Sequence, residues 1–135
     1  MRYLHPFIKN DLEKRMVLLS GPRQCGKTTF AKSISKEYPS STYLNWDQTK
    51  DRKIISSQSW DQYAEILVLV QIHKNKLWKN YLKEVLDTKN EFLKILVTWI
   101  ARLEIFQTTG DSLFGSYTSW RMHPFSLFAH PLKLQ

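Results

Sequence analysis

Residues 16–35, MVLLSGPRQCGKTTFAKSIS, decide the fold: a short apolar run, a glycine-bounded loop and a helix-period segment follow one another without interruption. Met16 to Ser20 has the length and apolarity of a buried strand. From Thr28 to Tyr38 the residues Phe30, Ile34 and Tyr38 recur every four positions, lining one helical face until Pro39 stops it. Between them, Gly21-Pro22-Arg23-Gln24-Cys25-Gly26-Lys27-Thr28 fits GxxxxGK[ST] at every fixed position, in the strand-to-helix context that the motif requires. Gly21 and Gly26 permit backbone angles that other residues resist, so successive amide N–H groups turn inward around a β-phosphate at the positive end of the helix. Lys27 then reaches the β- and γ-phosphates as a point charge, and Thr28 offers its hydroxyl to Mg²⁺. The nucleotide-binding stretch is taken as Gly21 through Thr29. Within it Cys25 reads as a tolerated residue at a variable position, the alternative being an oxidisable thiol activated by Lys27.

Outward from this core, short apolar runs alternate with helix-period segments, the pattern of βαβ units around a parallel sheet. Thr42 to Asp47 (TYLNWD) is a second strand, and Ile66 to Val70 (ILVLV) a third, its unbroken apolarity indicating burial on both faces. Trp78 to Thr88 places Trp78, Tyr81, Leu82, Val85 and Leu86 on one helical stripe. Ile95 to Thr98 is a fourth strand and Ser119 to Met122 a candidate fifth. The expected fold is therefore an α/β P-loop domain with a parallel sheet of about five strands flanked by helices. One short element remains, Pro124 to Gln135, and its apolar Phe125, Leu127, Phe128 and Leu132 suggest a chain cut before the element they would pack against.

The whole chain, residues 1–135, is read as one domain, since domains run to about 100–200 residues. An apolar fraction of 42% argues for a globular fold and against disorder. Twenty Lys plus Arg against 12 Asp plus Glu give a net charge of +8, which favours anionic partners without naming one. A richer stretch at Lys74, Lys76, Lys79 and Lys83 is a solvated basic face on the simplest reading and a nucleic-acid contact on the other. The single cysteine excludes an internal disulfide framework and fits a reducing compartment. With no apolar core to a leader at Met1 to Asn10, and no run near the roughly 18 apolar residues of a membrane span, the expectation is a cytoplasmic protein.

The strings GPRQCGKTTFA, YLNWD, IHKNKLWKNYLK, GDSLFGSY and RMHPFSL, with LVT and AR flanking two changed residues, resemble in order and spacing the blocks of a prokaryotic group of AAA+-type ATPases. That group reads GPRQ.GKTT, a strand ending DEIHK, WKNYLKG, VTGSARL, GDSL.GRY and RLHPFSL. The resemblance spans nearly the whole chain and implies ATP and Mg²⁺ as ligands. It also implies a lid and a longer C-terminal region, often nuclease-like, so the chain is expected to be truncated relative to the group.

The departures bear on catalysis. Where the group has Asp-Glu, this chain has Val70-Gln71; the Asp normally helps to hold Mg²⁺ and the Glu polarises the attacking water. Val70 does neither, and Gln71 hydrogen-bonds a water without taking its proton, a loss of general-base help of roughly 10²–10⁴ in rate. The Gly-Ser of the group's TGSAR is Trp99-Ile100, and the Arg of GDSL.GRY, a candidate arginine finger, is Ser116. Asp47, expected at the rim where open α/β sheets bind ligands, is a weak substitute for the metal-holding carboxylate. No residue is assigned confidently as catalytic. The implied function is an ATP-binding domain whose hydrolysis is weak or lost; the alternatives are a basic nucleic-acid-binding module and a non-functional truncated remnant. Ring assembly, common in AAA+ relatives, gains no support with Ser116 in place of that arginine.

Two further signals are set aside. Gly110-Asp111-Ser112-Leu113 spells a serine-esterase motif, but neither His123 nor His130 has an Asp three positions before it. His5, His73, His123 and His130 have no metal-ligand spacing with one another or with Cys25.

Overall fold

The structure, a computed structural model, describes residues 5–21, 26–100, 117–122 and 129–132, with the backbone alone at 99–100, 121–122 and 129–132. In chain order these form α1 (His5–Leu12), β1 (Met16–Gly21), α2 (Lys27–Ser35), β2 (Ser41–Asn45), α3 (Thr49–Ser57), β3 (Ile66–Val70), a 3-10 turn (Ile72–Lys74), α4 (Trp78–Thr88), β4 (Lys94–Ile100), β5 (Tyr117–Met122) and β6 (Ala129–Leu132). The sheet order is β2-β3-β4-β1-β5-β6. The first five strands are parallel, as the sequence predicts, and β6 adds an antiparallel edge, Ser119 pairing with Leu132 and Met122 with Ala129.

Alternation along the strands divides the core into two layers. Met16, Leu18, Leu67, Leu69, Ile95 and Val97 face Ile55 of α3 and Trp78, Leu82 and Val85 of α4. Val17, Leu19, Ile66, Val68, Val70 and Leu96 face Ile8 and Leu12 of α1 and Phe30, Ala31 and Ile34 of α2. Every residue of β1 and β3 is buried, as expected of central strands covered on both sides. Leu69 is fully buried within its layer. Leu69→Ala is therefore expected to cost about 2–5 kcal/mol, seen as a lower urea midpoint with an unchanged slope.

Boundaries differ from the sequence reading at several elements: β4 runs Lys94–Ile100 rather than Ile95–Thr98 and β5 Tyr117–Met122 rather than Ser119–Met122, while two elements stop short of it. The helix after the loop ends at Ser35 rather than Tyr38, yet Tyr38 still packs, half-buried, on the same cluster as Phe30 and Ile34. The second strand stops at Asn45, leaving Asp47 in the following turn, because the Asn45 side chain bonds the Asp47 N–H at 2.9 Å and bends the chain away.

Helix α1 carries little local signal and is held by contacts across the fold. Trp120 of β5 donates its indole N–H to Asp11 at 2.8 Å. At its other end His5 bonds Ser33 at 3.0 Å and meets Glu37, which also pairs with Lys9 at 3.1 Å. Burial pushes the Glu37 carboxyl upward, but the bonds and charges of Lys9 and His5 outweigh it and leave it below its ordinary value. The tie is thus present above the ordinary carboxylate pKa and fades as pH falls through the lower folded value.

Candidate phosphate-binding site

The loop after β1 lies at the C-terminal rim of the sheet, where β1 runs between β4 and β5 and the chain departs to α2 on one face. This is the place where open α/β sheets bind ligands. Gly26, at the start of α2, has φ 88° and ψ 14°, a left-handed conformation costly for any residue with a Cβ. Its carbonyl then accepts the Phe30 N–H at 2.9 Å and opens the helix. The Lys27 ammonium turns back to donate to the Gly21 carbonyl at 2.7 Å, drawing the charge across the loop between its two ends. Thr28 and Thr29 are exposed in the first turn of α2, where free N–H groups and the helix dipole favour an anion. Structure thus brings Gly21, Gly26, Lys27, Thr28 and Thr29 to one rim. Pro22, Arg23, Gln24 and Cys25 lie outside the described residues.

Tyr43 joins this group, and the sequence reading missed it. It sits on β2, half-buried, with the Lys32 ammonium 5.1 Å from its ring centroid. Burial pushes the Tyr43 phenol above its usual value, a hydrogen bond from the Thr28 side chain works against that, and the Asp51 charge adds to it. The phenol therefore stays protonated at neutral pH and bears on the orientation of the Thr28 hydroxyl. In sequence Tyr43 reads only as an aromatic strand residue, since nothing local indicates which hydroxyl it meets. Tyr43→Phe is expected to weaken nucleotide binding in the presence of Mg²⁺, by less than chelation of the ion does, while leaving Mg²⁺-independent binding and the melting temperature nearly unchanged; equal loss in both would assign Tyr43 to packing alone.

Across β4 from the loop, at the same rim, β3 delivers Val70 and Gln71. The Val70 side chain is 3% exposed and belongs to the apolar layer beneath α2. Gln71 has φ 65° and ψ 19°, a left-handed backbone in a residue other than glycine. It is held there by its N–H on the Thr98 carbonyl of β4 at 3.3 Å and by the Lys74 N–H on its own carbonyl at 3.1 Å. The Gln71 side-chain oxygen is buried without a hydrogen-bond partner among the described residues.

Asp47 is engaged elsewhere: both its oxygens accept from the Lys74 ammonium, at 2.9 and 3.0 Å. That pairing joins the turn after β2 to the turn after β3 and leaves Asp47 as a tether. Among the described residues no group of three His, Cys, Asp or Glu side chains is placed to hold a metal ion. Ser116 and the Gly110 to Leu113 string lie outside the described residues, as do the side chains of Trp99 and Ile100.

Trp78 is buried, and Tyr81 is half-buried with its hydroxyl on the Ile55 carbonyl at 2.5 Å, so both serve the core as the helical stripe indicates. Trp60 packs on the same layer. A cavity of about 420 Å³ opens at the opposite rim, under the starts of β1 and β4, lined by Leu12, Met16, Phe92, Lys89 and Lys94 among others. Burial lowers the Lys89 ammonium below its usual value and the nearby Lys94 charge adds to this, partly offset by Glu91. No helix among the described residues is long and apolar enough to cross a membrane.

The chain belongs to the AAA domain family, whose pattern matches residues 13–129. The match runs from the turn before β1 to the start of β6 and makes this an AAA-type, nucleotide-binding α/β domain. No curated protein matches the sequence.

Proposed function

We propose that the chain binds ATP through Gly21 to Thr29 and hydrolyses it slowly or not at all. The observation that carries this reading is the contrast at one rim. A left-handed Gly26, Lys27 and an exposed helix N-terminus stand beside a strand end that supplies Val70 and Gln71 instead of carboxylates. The first set suits binding, because amides and an ammonium neutralise phosphate oxygens. The second set lacks a proton acceptor, and phosphoryl transfer to water relies on positioning and charge placed around the attacking oxygen.

The residues fit Mg²⁺ in part. Thr28 offers a hydroxyl ligand; Val70 contributes no carboxylate and Asp47 is paired with Lys74. Bound with a nucleotide, Mg²⁺ would supply charge neutralisation to the phosphates, and Thr28 is the side chain that would hold it. Chelation with EDTA is therefore expected to shift ATP affinity only several-fold.

Titration of the purified chain with a fluorescent ATP analogue and Mg²⁺, followed by phosphate release on the same samples, tests the proposal. Saturable binding without release above background is the expected result. A cooperatively folded chain that binds neither ATP nor ADP overturns it, and turnover at ordinary rates of about 1–100 s⁻¹ overturns the hydrolytic part.

A further inference from the structure

The cations of this chain are distributed unevenly over the fold. On the α3–α4 side, the turn and first half of each helix carry Lys50, Arg52, Lys53, Lys74, Lys76 and Lys79, with only Asp47 and Asp51 between them. Both carboxylates are engaged, as is Glu84 further along α4, which accepts from the Gln58 side chain beside Lys83. Asp47 holds Lys74, and Asp51 accepts the Asn45 N–H at 2.9 Å. Arg52 is committed as well, with its guanidinium 5.3 Å from the Trp46 ring centroid and its Nε on the Trp46 carbonyl. Lys50, Lys53, Lys76 and, one turn along α4, Lys83 are exposed and have no ion-pair, hydrogen-bond or ring partner among the described residues.

Lys50 and Lys53 lie on α3, Lys76 in the turn before α4, and Lys83 on α4. Helices α3 and α4 are tied side by side by Tyr81 on the Ile55 carbonyl and by Gln58 on Glu84 at 2.9 Å. The apolar stripe of α4, Trp78, Leu82 and Val85, is turned to the sheet, so Lys83 lies on the outside.

We propose that the outer face of α3 and α4 docks the phosphate backbone of duplex nucleic acid through Lys50, Lys53, Lys76 and Lys83. Unpaired cations carried on two different elements complement the array of phosphates that a duplex presents from both its strands. The surface also lacks what an anionic membrane demands: the apolar faces of both helices are spent on the sheet, and the large apolar side chains exposed nearest to them among the described residues, Leu77, Tyr63 and Phe92, all lie outside α3 and α4. With phosphate contacts alone, binding is independent of base sequence. The docking does not rest on the nucleotide reading, since none of these lysines belongs to the phosphate loop.

The test is fluorescence anisotropy of a labelled 20-base-pair DNA duplex against the full chain from 50 to 200 mM KCl. Four neutralised phosphates give a slope near −3.6 in log affinity against log salt, a loss of roughly 100-fold over that range. Lys50→Glu/Lys53→Glu/Lys76→Glu/Lys83→Glu is expected to abolish binding at 50 mM while ATP-analogue binding persists. Lys14→Glu/Arg15→Glu/Lys36→Glu, which reverses cations elsewhere on the surface, should weaken it only a few-fold. Should the fourfold variant fail to fold, acetylation footprinting of the wild-type chain decides. Protection by duplex at Lys50, Lys53, Lys76 and Lys83, and not at Lys14 or Lys36, supports the proposal. It is overturned by absent or salt-insensitive binding, by equal loss in the two variants, by uniform protection, or by tighter binding to phosphatidylserine vesicles than to duplex.

Discussion

Replacing Lys27 with alanine is expected to abolish saturable binding of Mg·ATP while leaving the fold intact. The ammonium spans the loop from the first turn of α2 to the Gly21 carbonyl at 2.7 Å, so it already stands between the two ends of the motif. A phosphate held there exchanges water for a charge-assisted bond, and truncating one partner of such a pair costs about 2–5 kcal/mol, or roughly 30-fold or more in affinity. The stability effect is small by comparison, because Lys27 is only half-buried and the helix it opens is anchored further along by Phe30, Ala31 and Ile34. Fluorescent-analogue titration of Lys27→Ala beside the wild type, each with a thermal melt, reads both quantities. Equal binding by the two folded proteins would show that the loop does not hold phosphate, and the proposed function would be withdrawn.

The strand-loop-helix core was legible because its signals are local: ILVLV cannot avoid burial on both faces, and Phe30 and Ile34 fall on one helical stripe. The elements that escaped the sequence reading are those whose stability is tertiary. Helix α3, TKDRKIISS, buries only Ile55 fully and carries no stripe to detect. It is fixed by Asp51 on the Asn45 N–H, by Tyr81 on the Ile55 carbonyl, and by the left-handed Gln58 that ends it. Helix α1 buries Ile8 and Leu12 alone and depends on Trp120, more than a hundred residues away. Strand β6 is masked by Pro131, which removes an N–H and is tolerated because the strand lies on an edge. For the same reason the phosphate loop was found from spacing, whereas Tyr43 beside Thr28 and the capture of Asp47 by Lys74 depend on register and turn geometry.

Restoring both carboxylates, Val70→Asp with Gln71→Glu, is expected to raise phosphate release by roughly 10²–10⁴ over the wild-type chain. The two changes differ in cost. Gln71→Glu preserves shape, and the left-handed backbone at position 71 penalises Glu as it does Gln. That strain, on the order of 1–2 kcal/mol, is already borne by the bonds to Thr98 and Lys74. The new carboxylate starts from a side chain whose oxygen lacks a hydrogen-bond partner among the described residues. Val70→Asp alone places a charge in a site 3% exposed within an apolar layer, and it should destabilise the nucleotide-free chain markedly. Mg·ATP should recover part of that loss, because a ligand that binds only the folded state stabilises it by mass action. The single and double variants therefore separate the roles: Gln71→Glu alone tests proton acceptance, and the pair adds the metal-holding oxygen. A double variant that binds ATP and melts cooperatively, yet releases phosphate no faster than the wild type, would show that the lost carboxylates are not what limits hydrolysis in this chain.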